Sequence, residues 1–83
     1  MDPTAATALE SASACDRYAA QLDQSVADLT ALRRGVAEQW TGTAGNSLCQ
    51  ALDGHVQSIK RAQTALRDAA ANLRSAAVGA TNS

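Results

Sequence analysis

Large aromatic side chains are almost absent from this chain of 83 residues, which has no Phe, one Tyr and one Trp. Proline occurs once, whereas alanine occurs twenty times against eight Leu, four Val and one Ile. Because alanine favours helix strongly but buries little area, this composition predicts a single thin all-α domain. A domain of this size gains only about 3–5 kcal/mol from its own core, so we expect a partner to extend that core.

An excess of charge of one sign is also missing, since the net charge is −1. The four bases of the second half, Lys60, Arg61, Arg67 and Arg74, have no aromatic neighbours to stack on bases. A solvated helix face is therefore favoured, and a regulatory nucleic-acid binder is the weakest hypothesis. No segment approaches the ~18–20 apolar residues that span a bilayer. The first ten residues lack the pattern of a secretory signal peptide, so any export is expected without a cleaved one.

Residues for catalysis or metal binding are scarce. His55 is the sole histidine, and no carboxylate pair, nucleophile motif or phosphate-binding loop accompanies it. We therefore expect no enzyme, no metal and no cofactor. In a hairpin, Cys15 would lie ~31 Å from Cys49 along the helix axis, too far for a disulfide within one chain. Free thiols are expected, with an intermolecular bridge as the alternative.

The first half of the chain has the spacing of one long helix. Asp2 can cap it and Pro3 suits its first position. Apolar residues then recur at alternating steps of three and four, as in a coiled coil, with Arg33 as the exception. The positions are Ala5, Ala8, Ala12, Cys15, Ala19, Leu22, Val26, Leu29, Arg33, Val36 and Trp40. This pattern predicts helix 1 over about 3–39, ~55 Å long.

The segment "TGTAGN" interrupts the pattern and predicts a turn over 40–43, where Thr41 or Thr43 can cap the following helix. The same spacing then resumes with His55 as its polar exception. Its positions are Leu48, Leu52, His55, Ile59, Ala62, Leu66, Ala69, Leu73 and Ala76. We expect helix 2 over about 44–77 and a flexible tail over 78–83.

Two long helices joined by a short turn must fold back as an antiparallel helix-turn-helix hairpin. Residues whose numbers add up to about 85 should then face each other, so that Ala19 faces Leu66 and small side chains meet large ones. The predicted hairpin seam comprises Ala12, Ala19, Leu22, Val26, Leu29, Val36, Leu48, Leu52, Ile59, Leu66 and Leu73. Trp40 would be the last seam residue of helix 1, with its ring closing the end of the bundle at the turn. Exposure of the ring to a partner is the alternative.

A second apolar stripe flanks the seam. Its main members, the candidate dimer face, are Leu9, Tyr18, Leu32, Cys49 and Val56. Because one hairpin cannot cover both stripes, we expect it to dimerise into a four-helix bundle, with an isolated two-helix fold as the alternative.

The turn motif Trp40-Thr41-Gly42, followed by Ala44 and Leu48, lies between two helices of matched length. In this respect the chain resembles the WXG family of small ESAT-like proteins of type VII secretion systems, found in actinobacteria and other Gram-positive bacteria. The resemblance covers about residues 3–78. It implies a non-enzymatic hairpin that forms homodimers or heterodimers with a paralogous hairpin, often encoded by a neighbouring gene. It also implies secretion without a cleaved signal peptide from a cytoplasmic pool.

The chain departs from the family in two respects. It is shorter than typical members, and it lacks their Tyr-x-x-x-Asp/Glu export signal, since Tyr18 is followed four residues later by Leu22. A partner that supplies the signal is the favoured explanation. The resemblance thus predicts a secretion substrate or co-substrate, and the alternative is an intracellular adaptor or targeting chaperone for a larger effector or toxin.

Overall fold

The computed structural model describes residues 3–82, which form two helices. Helix α1 spans Pro3–Gln39 and α2 spans Thr43–Asn82. They pack as an antiparallel hairpin whose Cα atoms extend over 62 × 15 × 11 Å. The prediction of an all-helical hairpin is confirmed for this part of the chain.

The bounds of α1 agree with those predicted, and Asp2, the proposed cap, lies outside the described residues. Helix α2 continues to Asn82, so the prediction of a flexible tail is wrong for residues 78–82. The helix persists because its buried row continues to Ala77, which is 3% exposed, and Ala5 at the start of α1 is fully buried. Ser83, the last residue of the predicted tail, lies outside the described residues.

Alanines at seven-residue intervals form most of the interface between the two helices. Ala5, Ala12 and Ala19 of α1 are at most 1% exposed, and Ala70 and Ala77 of α2 are also buried. Because their side chains are single methyl groups, the helix backbones can approach closely.

Larger side chains fill the interface near the turn. Within residues 3–82, Val36, Cys49 and Leu52 form a buried cluster of apolar side chains larger than alanine, and Leu29 packs against this cluster. The hairpin therefore has its densest apolar core at the turn end.

The seam of α2 is displaced from the predicted one along one of its two rows. Leu52, Ile59, Leu66 and Leu73 are buried or half-buried as expected, but Leu48 is exposed. The row that completes the seam is Cys49, Val56, Gln63, Ala70 and Ala77; the row that remains outside it is Leu48, His55, Ala62, Ala69 and Ala76. Each row contains one polar residue, so spacing alone does not separate them.

The polar residue of the buried row is satisfied in the structure. Gln63 is 5% exposed, and its Nε2 donates to the carbonyl oxygen of Ala19 at 2.8 Å and to Asp23 Oδ1 at 2.7 Å. A buried amide with partners costs little, whereas burial without them would cost roughly 1–3 kcal/mol. This pairing explains why the Gln63 row, with its small alanines, can lie against α1.

Candidate interaction face

One broad face of the hairpin carries no formally charged residue among residues 3–82. It consists of two rows at seven-residue spacing on each helix, beside the buried seam, and we call it the uncharged face. On α1 its members are Ala8, Ser11, Cys15, Tyr18, Leu22, Ser25, Leu29 and Leu32. On α2 they are Leu48, His55, Ile59, Ala62, Leu66, Ala69, Leu73 and Ala76.

Large apolar side chains are exposed on this face. Tyr18 is 62%, Leu32 54% and Leu48 39% exposed. Single exposed apolar residues are ordinary, but several on one face without formal charge make that face the candidate interaction surface. The face is therefore the part of this hairpin best suited to bind another protein.

The open end of the uncharged face is recessed. Ala8 and Ser11 of α1 and Leu73 and Ala76 of α2 line a shallow groove of about 520 Å³, together with Thr4 and Thr7. Since residues of both helices line it, the groove shows that the rows of α1 and α2 lie on the same side of the hairpin. Side chains that protrude from a partner could fill this space.

The opposite side of the hairpin carries ion pairs. Arg74 Nη2 lies 2.6 Å from Asp16 Oδ2, and Arg33 Nε lies 2.7 Å from Asp53 Oδ1. The hydrogen bond and the charge interaction of Arg33 with Asp53 raise the pKa of Arg33 above its ordinary value. Because these side chains are about half exposed, each pair contributes little to stability, but together they show that this side is solvated.

The candidate dimer face predicted from the sequence is only partly brought together. Tyr18 and Leu32 lie on the uncharged face, whereas Cys49 is buried in the hairpin core. Val56 is half-buried in the seam, and Leu9 is half-buried in the row that contains Asp16, on the charged side. Leu48, predicted as a seam residue, takes the place of Cys49 on the exposed surface because this row of the α2 seam is displaced by one residue.

The turn brings Trp40 and Gly42 together as predicted, but the ring of Trp40 is 56% exposed. Trp40 therefore does not fill the core as a last rung. Gly42 has a φ of +88°, a conformation that residues with a Cβ rarely adopt. A hydrogen bond from the amide of Asn46 to the Gly42 carbonyl, at 3.0 Å, begins α2.

Gly45 lies in the first turn of α2, and its role in packing is not predicted by the sequence pattern. A Cβ at this position would lie 2.9 Å from the carbonyl carbon of Trp40 and nearer still to its carbonyl oxygen. The backbone of Trp40 thus packs directly on α2 at Gly45. In the sequence, Gly45 stands three residues after Gly42. The composition of the turn does not distinguish a glycine that is needed for close packing from one that lies in a loop.

The remaining candidate chemical groups lie apart. The thiols of Cys15 and Cys49 are both free, and Cys49 Sγ lies 4.0 Å from the carbonyl oxygen of Arg33. His55, expected on the seam, is exposed on the uncharged face. Residues 3–82 contain no cluster of three or more His, Cys, Asp or Glu that could hold a metal ion. Within the same range neither helix is apolar enough over a sufficient length to cross a membrane.

Comparison with known proteins identifies no relatives. No family model matches the chain, and no curated protein or solved structure matches it significantly.

Proposed function

We propose that this chain is a non-enzymatic WXG-type hairpin that acts in type VII secretion, as a substrate or co-substrate, by pairing with a second helical hairpin. Pairing through the uncharged face would bury Tyr18, Leu32 and Leu48 and complete a four-helix bundle. The exposure of these three side chains on a face without charge is the observation that carries the proposal.

The geometry of the turn supports the WXG-type assignment. The glycine of Trp40-Thr41-Gly42 has the positive φ that a tight reversal between long helices requires. The exposed ring of Trp40 stands at the end of the hairpin, where a component of the secretion machinery could contact it. A motif that combines a required glycine with an exposed aromatic residue fits a recognition role better than a purely structural one.

We assign the export signal to the partner. Tyr18, the sole tyrosine, lies within α1 on the uncharged face, and four residues later stands Leu22 rather than an acid. A co-exported paralogous hairpin with Tyr-x-x-x-Asp/Glu would supply this element to the pair.

Export provides the test. The chain should be detected in culture filtrate of a host with an intact type VII system and should be lost from it when the secretion ATPase is disabled. A cytoplasmic protein serves as the control for lysis. Export that persists unchanged without the ATPase would contradict the proposal, and retention in the cytoplasm bound to a large effector would support the adaptor instead.

A further inference from the structure

We propose that the hairpin opens reversibly at its open end while the turn end stays folded. The part that separates, which we call the open half, comprises residues 3–18 of α1 and 67–82 of α2. Gln63 marks its boundary, and the ion pair between Asp16 and Arg74 is a latch that salt weakens. This opening is a property of the hairpin itself and does not depend on the proposed role in secretion.

The most deeply buried side chains of the open half are small. Ala5, Ala12, Ala70 and Ala77 are at most 3% exposed, and each brings a single methyl group to the contact between the helices. The larger Leu73 is only half-buried and lines the groove at this end. Since hydrophobic stabilisation is roughly proportional to the apolar area removed from water, the open half is held weakly.

Larger side chains hold the helices together on the other side of Gln63. Val36, Cys49 and Leu52 are buried in one cluster, and Leu29 packs against it. The turn joins the helices beside this cluster, so the loop that these contacts close is short and its closure costs little entropy. The helices therefore stay paired here when they separate at the open end.

Gln63 limits how far the separation can spread. Its side chain is buried, and its Nε2 donates to the carbonyl oxygen of Ala19 at 2.8 Å and to Asp23 Oδ1 at 2.7 Å. Both hydrogen bonds of this buried amide must break before the helices can part at this level, a step that the alanine contacts do not require. We therefore expect separation from the open end to stop at Gln63.

The latch lies within the open half and is accessible to solvent. Arg74 Nη2 of α2 lies 2.6 Å from Asp16 Oδ2 of α1, so this ion pair joins the two helices. Both side chains are about half exposed, and dissolved ions therefore screen their attraction. The balance between the closed and the open hairpin should shift toward opening as the salt concentration rises.

Opening releases both ends of the chain together. Each detached segment has sixteen residues, close to the length of ~12–15 at which an isolated helix is marginal in water. Gly79 lowers the helix propensity of the second segment further. The segments therefore lose their helical hydrogen bonds when they separate, whereas the turn with Trp40 keeps its shape. The chain can thus present the turn to another molecule in both states.

Hydrogen exchange of the purified full-length chain, followed by mass spectrometry, tests the opening. Amides of the open half should exchange about tenfold or more faster than those of residues 26–39 and 49–59, and its two segments should respond together. Equal protection along the full length of both helices would overturn the proposal.

Leu52→Ala distinguishes local opening from complete unfolding. The variant loses a buried side chain of the turn cluster, so exchange near the turn should accelerate about tenfold or more while exchange in the open half stays unchanged. Acceleration by the same factor in both parts would mean that the hairpin unfolds only as a single unit, contrary to the proposal. If circular dichroism shows that Leu52→Ala has lost its helices, Val36→Ala is the milder change in the same cluster.

Asp16→Asn tests the latch. It should speed exchange in the open half about two- to fivefold and leave exchange near the turn unchanged, and high salt should bring the native chain to the same rate. Glu10→Gln is the matched control, because it removes the same charge from an exposed position of the open half outside this ion pair. Equal effects of the two variants would refute the latch.

Gln63→Ala tests the boundary. Residues 19–25 and 59–66 should then exchange as fast as the open half, because no buried amide stops the separation. Gln57→Ala, on an exposed position of the same helix, should leave the boundary in place. A boundary that stays in place in both variants would contradict the role of Gln63.

Discussion

Gln63 of α2 binds the backbone of α1 directly, with its Nε2 2.8 Å from the carbonyl oxygen of Ala19. The same nitrogen lies 2.7 Å from Asp23 Oδ1, so one side chain connects both helices within an otherwise apolar interface. Such a buried amide can hold a coiled coil in register where alanine contacts alone would permit sliding.

Replacing this amide should cost stability. We expect Gln63→Ala to lower the free energy of unfolding by about 1–2 kcal/mol, because two hydrogen bonds and a packed side chain are lost. Gln57→Ala, on an exposed position of the same helix, should change it by less than about 0.5 kcal/mol. Urea unfolding followed by circular dichroism measures both, and equal effects would show that the amide does not stabilise the hairpin.

Gly45 should not tolerate a Cβ. Gly45→Ala places a methyl group against the carbonyl group of Trp40, so the turn must shift, and we expect a loss of roughly 1–3 kcal/mol. Gly54→Ala is the matched control, because nothing lies within 4 Å of its Cβ. It should stabilise α2 by up to about 1 kcal/mol through helix propensity. Thermal unfolding of the two variants would reveal the opposite signs, and a stabilised Gly45→Ala would contradict the close packing at the turn.

Trp40 should matter little for folding. Because its ring is 56% exposed, Trp40→Ala should cost less than about 1 kcal/mol. Leu52→Ala removes a side chain that is 6% exposed in the core cluster and should cost roughly 2–4 kcal/mol. Denaturant titration of both variants decides the point: a loss at Trp40 as large as that at Leu52 would mean that the ring is buried in solution.

The ion pair between Asp16 and Arg74 should contribute little. Both side chains are about half exposed, so Asp16→Asn should change the free energy of unfolding by less than about 1 kcal/mol. Added salt should reduce even this difference from the native chain. An effect of several kcal/mol in urea unfolding would show that the charged side is buried in an assembly.

The fold follows from local signals that the sequence states clearly. The apolar spacing from Ala5 to Val36 and the glycines after Trp40 are sufficient to place α1 and the turn. Few other arrangements of secondary structure satisfy both the spacing and the glycines. The end of α2 was missed because "VGATNS" has the composition of a frayed tail, and the packing of Ala77 against α1 overrides that weak local preference.

The interaction face was harder to predict because α2 is apolar on both sides of Leu52 and Leu66. The rows of Leu48 and Cys49 are adjacent, and each has one polar member, His55 or Gln63. Which row is buried depends on a contact between helices, the bond from Gln63 to Ala19, and not on spacing within α2. This displacement moved Leu48 to the surface and Cys49 into the core, so that of the residues of the predicted face only Tyr18 and Leu32 are exposed.

The most direct test of the account is whether the uncharged face is needed for export. Native chain, Leu32→Glu and Ala31→Glu would be expressed in a host with an active type VII system and quantified in culture filtrate and cell lysate. We predict that the native chain and Ala31→Glu reach the filtrate equally, whereas Leu32→Glu remains in the cells as a folded hairpin. Equal export of both variants would contradict the claim that the chain functions by pairing through this face.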